Sequence, residues 1–123
     1  MGIFSVLKRK PNAELILSKK EKIQERLFAI RKILSDNNHQ GQARVIDNLL
    51  SLLLEENISE FIREIQSVNI WGGAGAVWEV WFESDNAQTA FATEMLGLII
   101  ILEQLKIATK SMRSIKKLFL KVY

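Results

Sequence analysis

Val68-Asn69-Ile70-Trp71-Gly72-Gly73-Ala74-Gly75-Ala76-Val77-Trp78-Glu79-Val80-Trp81-Phe82-Glu83-Ser84 holds all three tryptophans and three of the six glycines of the chain. Glycine permits positive φ and close approach of other groups, while tryptophan buries a large surface and carries one N–H that needs an acceptor. The stretch therefore reads as a tight turn feeding a bulky, mostly buried element. Its second half supports two readings. As a strand, Trp78, Val80 and Phe82 alternate with Val77, Glu79, Trp81 and Glu83, and the aromatic and β-branched content agrees. As a helix, Trp78 meets Trp81 and Phe82 at i+3 and i+4. No second strand-like run exists to supply a ladder, so 77–83 is expected to be a short helix entered from the Gly72–Gly75 turn, and the fold class is expected to be all-α.

The flanking sequence is helical throughout. Upstream, Ile23, Leu27, Ile30 and Leu34 recur at steps of four, three and four, one face of a helix. Ser18-Lys-Lys-Glu21 before it has the spacing of a capping box. Asn12 is placed to cap a first turn through Leu15-Ile16-Leu17. The turn residues Asp36 to Gly41 interrupt, with His39 expected to be a solvated side chain. A second helix over Gln42–Glu55 is apolar on more than one face. Asn57-Ile-Ser-Glu60 is a second capping-box candidate, opening a short third helix on Phe61, Ile62, Ile65 and Val68. Downstream, Ser84-Asp85-Asn86 caps a long helix from Ala87 to about Ala108, with Phe91, Met95, Leu98, Leu102 and Leu105 as its main stripe. Such a widely apolar helix is the centre of the domain or half of an oligomer interface. A last amphipathic segment, 109–123, turns Met112, Ile115, Leu118, Phe119 and Val122 inward. The expectation is a compact single-domain helical bundle of about five helices over residues 1–123, with 87–108 central and 1–11 an N-terminal arm.

With 123 residues, 48% of them hydrophobic and 25% charged, the chain has the size and composition of one globular domain. The absence of cysteine excludes disulfides, thiolate ligands and thiol nucleophiles, and suits a cytoplasmic location. The start Ile3-Phe4-Ser5-Val6-Leu7 is too short for a signal peptide and precedes Lys8-Arg9-Lys10 rather than following charge. Val6 stands where a myristoylation motif needs Ser or Thr. No apolar run approaches the roughly 20 residues of a membrane span.

No catalytic, metal or cofactor constellation is legible. His39 is the single histidine, and Gly72-Gly73-Ala-Gly75 lacks both the lysine of a phosphate loop and the spacing of a dinucleotide fingerprint. The chain is therefore expected to be a non-enzymatic binding protein. Its net charge of +3 is unevenly spread. Residues 1–22 carry six Lys/Arg, and 106–123 carry Lys106, Lys110, Arg113, Lys116, Lys117 and Lys121 with no acid. Between Arg44 and Lys106 Arg63 is the one base among ten acids. Either the basic ends pack beside the acidic middle and neutralise it, or the patches face charged partners. Glu56, Glu60 and Glu64, four residues apart, are expected to form an exposed row with Glu55. Glu79 and Glu83, among the tryptophans, extend the acidic surface toward a basic protein partner. The alternative is that Lys110, Arg113, Lys116, Lys117 and Lys121 bind nucleic acid or an anionic surface, against which the acidic middle stands.

The segment Trp71-Gly72-Gly73-Ala74-Gly75-Ala76-Val77-Trp78-Glu79 resembles the Trp-Gly-Gly-x-Gly-Ser/Ala-apolar motif of short bacterial proteins. Some of these resemble immunity proteins, which bind and silence a toxin. Ala76 stands where many of those proteins have serine. The resemblance spans about residues 42–105 and implies a helical bacterial cytoplasmic protein with a protein partner, plausibly a basic toxin.

Overall fold

The computed structural model describes residues 13–122. Among them the chain is all-helical: α1 (Ala13–Ser18), α2 (Lys20–Asp36), α3 (Gln40–Leu54), α4 (Ile58–Ile65), α5 (Val68–Trp71), a single 3₁₀ turn (Val77–Glu79), α6 (Asp85–Gln104) and α7 (Lys110–Val122). The arm at 1–11 and the cap expected of Asn12 lie outside the described residues.

The apolar stripes assemble as a bundle. Ile23, Leu27, Ile30 and Leu34 of α2 are all fully buried, and α2 packs against both α3 and α6. Helix α3 adds Ala43, Ile46, Leu49, Leu50 and Leu53, and α4 packs on α3 through Ile58, Phe61 and Ile65. Seven residues of α6 are buried, more than from any other helix, and α7 closes over it with Met112, Ile115 and Phe119. Two ion pairs tie the basic ends to the acidic middle, Lys20 to Glu56 (3.3 Å) and Lys116 to Glu103 (2.8 Å), and two more reach it from within α2, Arg26 to Glu94 (3.1 Å) and Arg31 to Asp47. The first of the two charge readings accounts for Lys20 and Lys116 among the basic ends, though partly exposed pairs of this kind add little stability.

Two of the expected caps form. The Asn57 side chain accepts from the Glu60 amide (3.4 Å) and Ser84 Oγ from the Ala87 amide (3.2 Å). The Ser18–Glu21 box does not: Ser18 Oγ donates back to the Leu15 carbonyl at 2.6 Å, and Lys19 takes the N-cap position. Three helix ends close on left-handed residues other than glycine, Asn38, Glu56 and Lys106, the first of them within the Asp36–Gly41 turn expected there. Each has the Schellman pattern. At the end of α6, Ile107 N–H bonds Leu102 O and Lys106 N–H bonds Glu103 O, both at 3.0 Å. The helix therefore stops at Gln104 rather than running to Ala108. The third expected helix also breaks, into α4 and α5, and Val68 is 77% exposed instead of joining the apolar face.

Lys106 holds φ of 62°, a conformation costing an ordinary residue roughly 1–2 kcal/mol. Its side chain is exposed, so Lys106→Gly removes that strain at little contact cost. The added freedom of glycine in the unfolded chain offsets roughly 0.5–1 kcal/mol. We expect a net gain of a few tenths to about 1 kcal/mol, read as a higher urea midpoint at unchanged slope. A midpoint that falls would contradict the cap geometry.

A candidate protein-interaction groove

Helix α5 ends at Gly72, whose N–H donates to Val68 O at 2.9 Å. A Cβ there would stand 2.6 Å from that same carbonyl, so side chains are excluded. The chain then makes a β-turn in which Ala76 N–H bonds Gly73 O at 3.0 Å, with Gly75 at φ +86°, as the third position of a type II turn demands. A Cβ on Gly73 would meet nothing within 4 Å, so this glycine answers no packing need.

Beyond the turn the structure differs from the helix expected for 77–83. Val77–Glu79 make one 3₁₀ turn, Val80 is extended, and the chain passes through Trp81 and Phe82, unpaired with any strand, to a bend at Glu83–Ser84. Extended residues alternate sides. Val80 and Phe82 turn inward while Trp81 and Glu83 point out, leaving Trp81 69% exposed. A segment with no ladder must satisfy its backbone elsewhere. Side chains do this here. Gln42 Nε2 donates to Gly75 O (3.1 Å), and the Phe82 amide donates to Gln88 Oε1 (3.0 Å). His39 Nε2 lies 2.8 Å from Trp81 O, and since a carbonyl can only accept, Nε2 carries the proton. His39 is thus bonded rather than a free solvated side chain, and its ring also meets Phe82 edge-on at 5.1 Å. Phe82 in turn contacts Phe91 of α6 at 5.1 Å.

The three tryptophans take three different roles. Trp71, 4% exposed, donates from Nε1 to Ile65 O at 2.6 Å and anchors the turn in the core. Trp78 is half-buried and donates to Gly72 O at 2.7 Å. Trp81 faces solvent. Between this segment and α7 lie two adjoining clefts of about 380 Å³ each. One is lined by Trp78, Glu79, Trp81, Gln88, Leu118 and Phe119, the other by Trp71, Trp78, Lys110, Ser111, Ser114 and Leu118. Trp78 and Leu118 belong to both, so the clefts form one apolar groove along α7.

The remaining candidate residues separate. Glu56 pairs with Lys20, Glu60 pairs with Arg63, and Glu64 accepts from Asn69 Nδ2 at 3.3 Å. Glu60 and Glu64 are half-buried, so they do not form the open acidic row expected with Glu55 and Glu56. Glu79 and Glu83 are both exposed; Glu79 lines the groove, while Glu83 lines a separate cleft with Asp36 to His39. On α7, Lys116 is taken by Glu103 and Arg113 donates to Ala108 O at 3.1 Å. Lys110, Lys117 and Lys121 are exposed, and their spacing of seven and four sets them in a row along one side of α7, with Lys110 at the groove. Among the described residues, no helix is long and apolar enough to cross a membrane, and no three His, Asp or Glu side chains are grouped to hold a metal ion. Comparison with protein-family models, curated proteins and solved structures finds no match to the chain.

Proposed function

We propose that this chain is a non-enzymatic, cytoplasmic protein-binding domain that meets its partner through the tryptophan groove, with Glu79 at the rim and Glu83 on the far side of Trp81. The observation that carries this reading is Trp81: a large apolar ring, 69% exposed, on a backbone held from both sides by His39 and Gln88. A rigid exposed aromatic loses little entropy on binding, and tryptophan is enriched among residues that dominate interface energy. The acidic contribution moves from Glu56, Glu60 and Glu64, which have partners within the chain, to Glu79 and Glu83. An immunity role, with a basic toxin as partner, is one form of this reading.

A photo-crosslinking residue placed at position 81 in growing cells tests it. We expect a discrete protein adduct from position 81 and none from a crosslinker at Leu54, which is 58% exposed and outside the groove. No adduct at 81, or equal adducts at both positions, would overturn the reading. The row of Lys110, Lys117 and Lys121, with no ion pair among the described residues, favours nucleic acid or an anionic surface as a second reading. Its mark is binding to duplex DNA that weakens steeply with salt and is lost in Lys117→Glu but not in Trp81→Ala.

A further inference from the structure

We infer that the basic side of α7 docks on an anionic lipid surface, with Leu118 and Leu120 entering the headgroup layer. The inference rests on the second reading above, of α7 as a contact face for an anionic surface, and leaves the tryptophan groove to a protein partner. Lys110, Arg113, Lys117 and Lys121 recur at steps of three, four and four, so they share one side of the helix, and all four are exposed. Lys117 and Lys121 each stand two residues from buried Phe119, about 200° round the helix, so this side faces away from the core. Helix α7 contains no acid. Among the described residues none of the four cations is in an ion pair. Arg113 donates to Ala108 O at 3.1 Å, which occupies one donor and leaves its charge uncompensated. The cation of α7 that does meet an acid is Lys116, bonded to Glu103 at 2.8 Å.

The strip is not purely polar. Leu118 follows Lys117 and Leu120 precedes Lys121, steps of about 100° in opposite directions, so a leucine flanks the strip on each side. Leu118 is 49% exposed and Leu120 61%. Leu118 also lines the groove, whereas Leu120 lies outside both of its clefts. A nucleic-acid backbone offers phosphate to the lysines but no apolar surface to the leucines beside them. A bilayer surface offers both, anionic headgroups for the cations and an acyl boundary for the leucines. Flexible lysine stems let the ammonium groups stay at the level of the phosphates while the neighbouring leucines go deeper. Each cation close to an anionic leaflet strengthens partitioning about fivefold, so four favour an anionic over a neutral surface by roughly 600-fold. Salt screens this attraction.

Vesicle flotation of the full chain is the test, with vesicles of phosphatidylcholine alone and with about one third phosphatidylserine. The chain is expected to float with the second kind and not the first, and to be released at about 0.5 M salt. Lys117→Gln/Lys121→Gln should lower partitioning by about 25-fold. Leu120→Ser, at an exposed position, should lower it by about five- to twentyfold without changing its salt dependence. Trp81→Ala should bind as the parent does, and every variant should keep the helical circular dichroism of the parent. Equal flotation with both kinds of vesicle, or none with either, overturns the inference. So does a Leu120→Ser variant that binds like the parent, because charge alone would then account for the binding. If the vesicles are not bound but duplex DNA is, the lipid surface fails and the basic-face reading stands with nucleic acid. If neither is bound, both fail.

Discussion

Phe91→Ala is expected to destabilise the protein by about 3–5 kcal/mol, the usual cost of removing a fully buried phenylalanine and leaving a cavity. Phe91 is 0% exposed and is the first buried residue along α6. Its ring also holds the inner end of an aromatic chain, Phe91 to Phe82 at 5.1 Å and Phe82 to His39 at 5.1 Å. Each such ring pair adds about 0.5–1.5 kcal/mol beyond its buried area. Against a total stability of about 5–15 kcal/mol for a domain of this size, the loss is large. Guanidinium unfolding measures it directly. Phe91→Leu, which refills part of the space, should cost clearly less. The groove should feel the change as well, because Phe82 fixes the extended segment on which Trp81 stands. Hydrogen exchange at the Phe82 amide, bonded to Gln88 at 3.0 Å, should quicken more than the global loss explains. A cost under about 1 kcal/mol would place Phe91 outside any tight packing.

What was legible in the sequence is what short-range physics determines. The 23, 27, 30, 34 stripe needs only the helix period to be recognised, and all four residues are fully buried. The caps of Asn57 and Ser84 act within three residues and form as their spacing suggests. Ser18 has the same spacing, but its hydroxyl takes the competing bond back to Leu15 O, a choice that spacing cannot decide. The end of α6 was illegible for a related reason. The sequence continues with apolar Ile107 and Ala108, and the left-handed residue is a lysine, not a glycine. Closure depends on Ile107 burying itself beside Leu102, a contact in three dimensions.

The Trp78–Glu83 alternation shows the limit most clearly. The period of two is present in the chain, and the structure obeys it, with Phe82 in and Trp81 out. Lack of a second strand argued for a helix because an unpaired extended backbone must find partners. Those partners are side chains: His39, 42 residues from Trp81 in sequence, bonds its carbonyl, and Gln88 takes the Phe82 amide. Local patterning carries no trace of such bonds. Likewise, the acids at 56, 60 and 64 have regular spacing, but Lys20 reaches Glu56 from 36 residues away. Glu79, at the end of the 3₁₀ turn, stays exposed at the groove edge, and Glu83 stays exposed beside the Asp36–His39 loop.

Trp71→Ala should match Phe91→Ala in size, about 3–5 kcal/mol, and should act on the groove from its other end. Trp71 is nearly buried and lines the cleft beside Ser111 and Ser114 of α7. Its indole also performs a specific task. Helix α4 ends at Ile65, and the carbonyls of a last turn have no partner within their own helix. Gln66 and Ser67 amides take Ile62 O and Glu64 O, and Trp71 Nε1–H takes Ile65 O at 2.6 Å. Trp71→Phe separates the two contributions. It keeps most of the apolar burial and removes the donor, leaving a carbonyl without this partner, a loss of about 1–3 kcal/mol. The expected order of stability is parent, then Trp71→Phe, then Trp71→Ala, measured by denaturant unfolding followed by circular dichroism. A phenylalanine variant as stable as the parent would mean that Ile65 O is satisfied without the indole. An alanine variant no worse than phenylalanine would mean that the ring itself packs against nothing. With both losses as expected, Trp71 is the residue that joins the end of α4 to the floor of the groove, and the glycine turn follows it because only a residue without a side chain can pass so close to Val68 O.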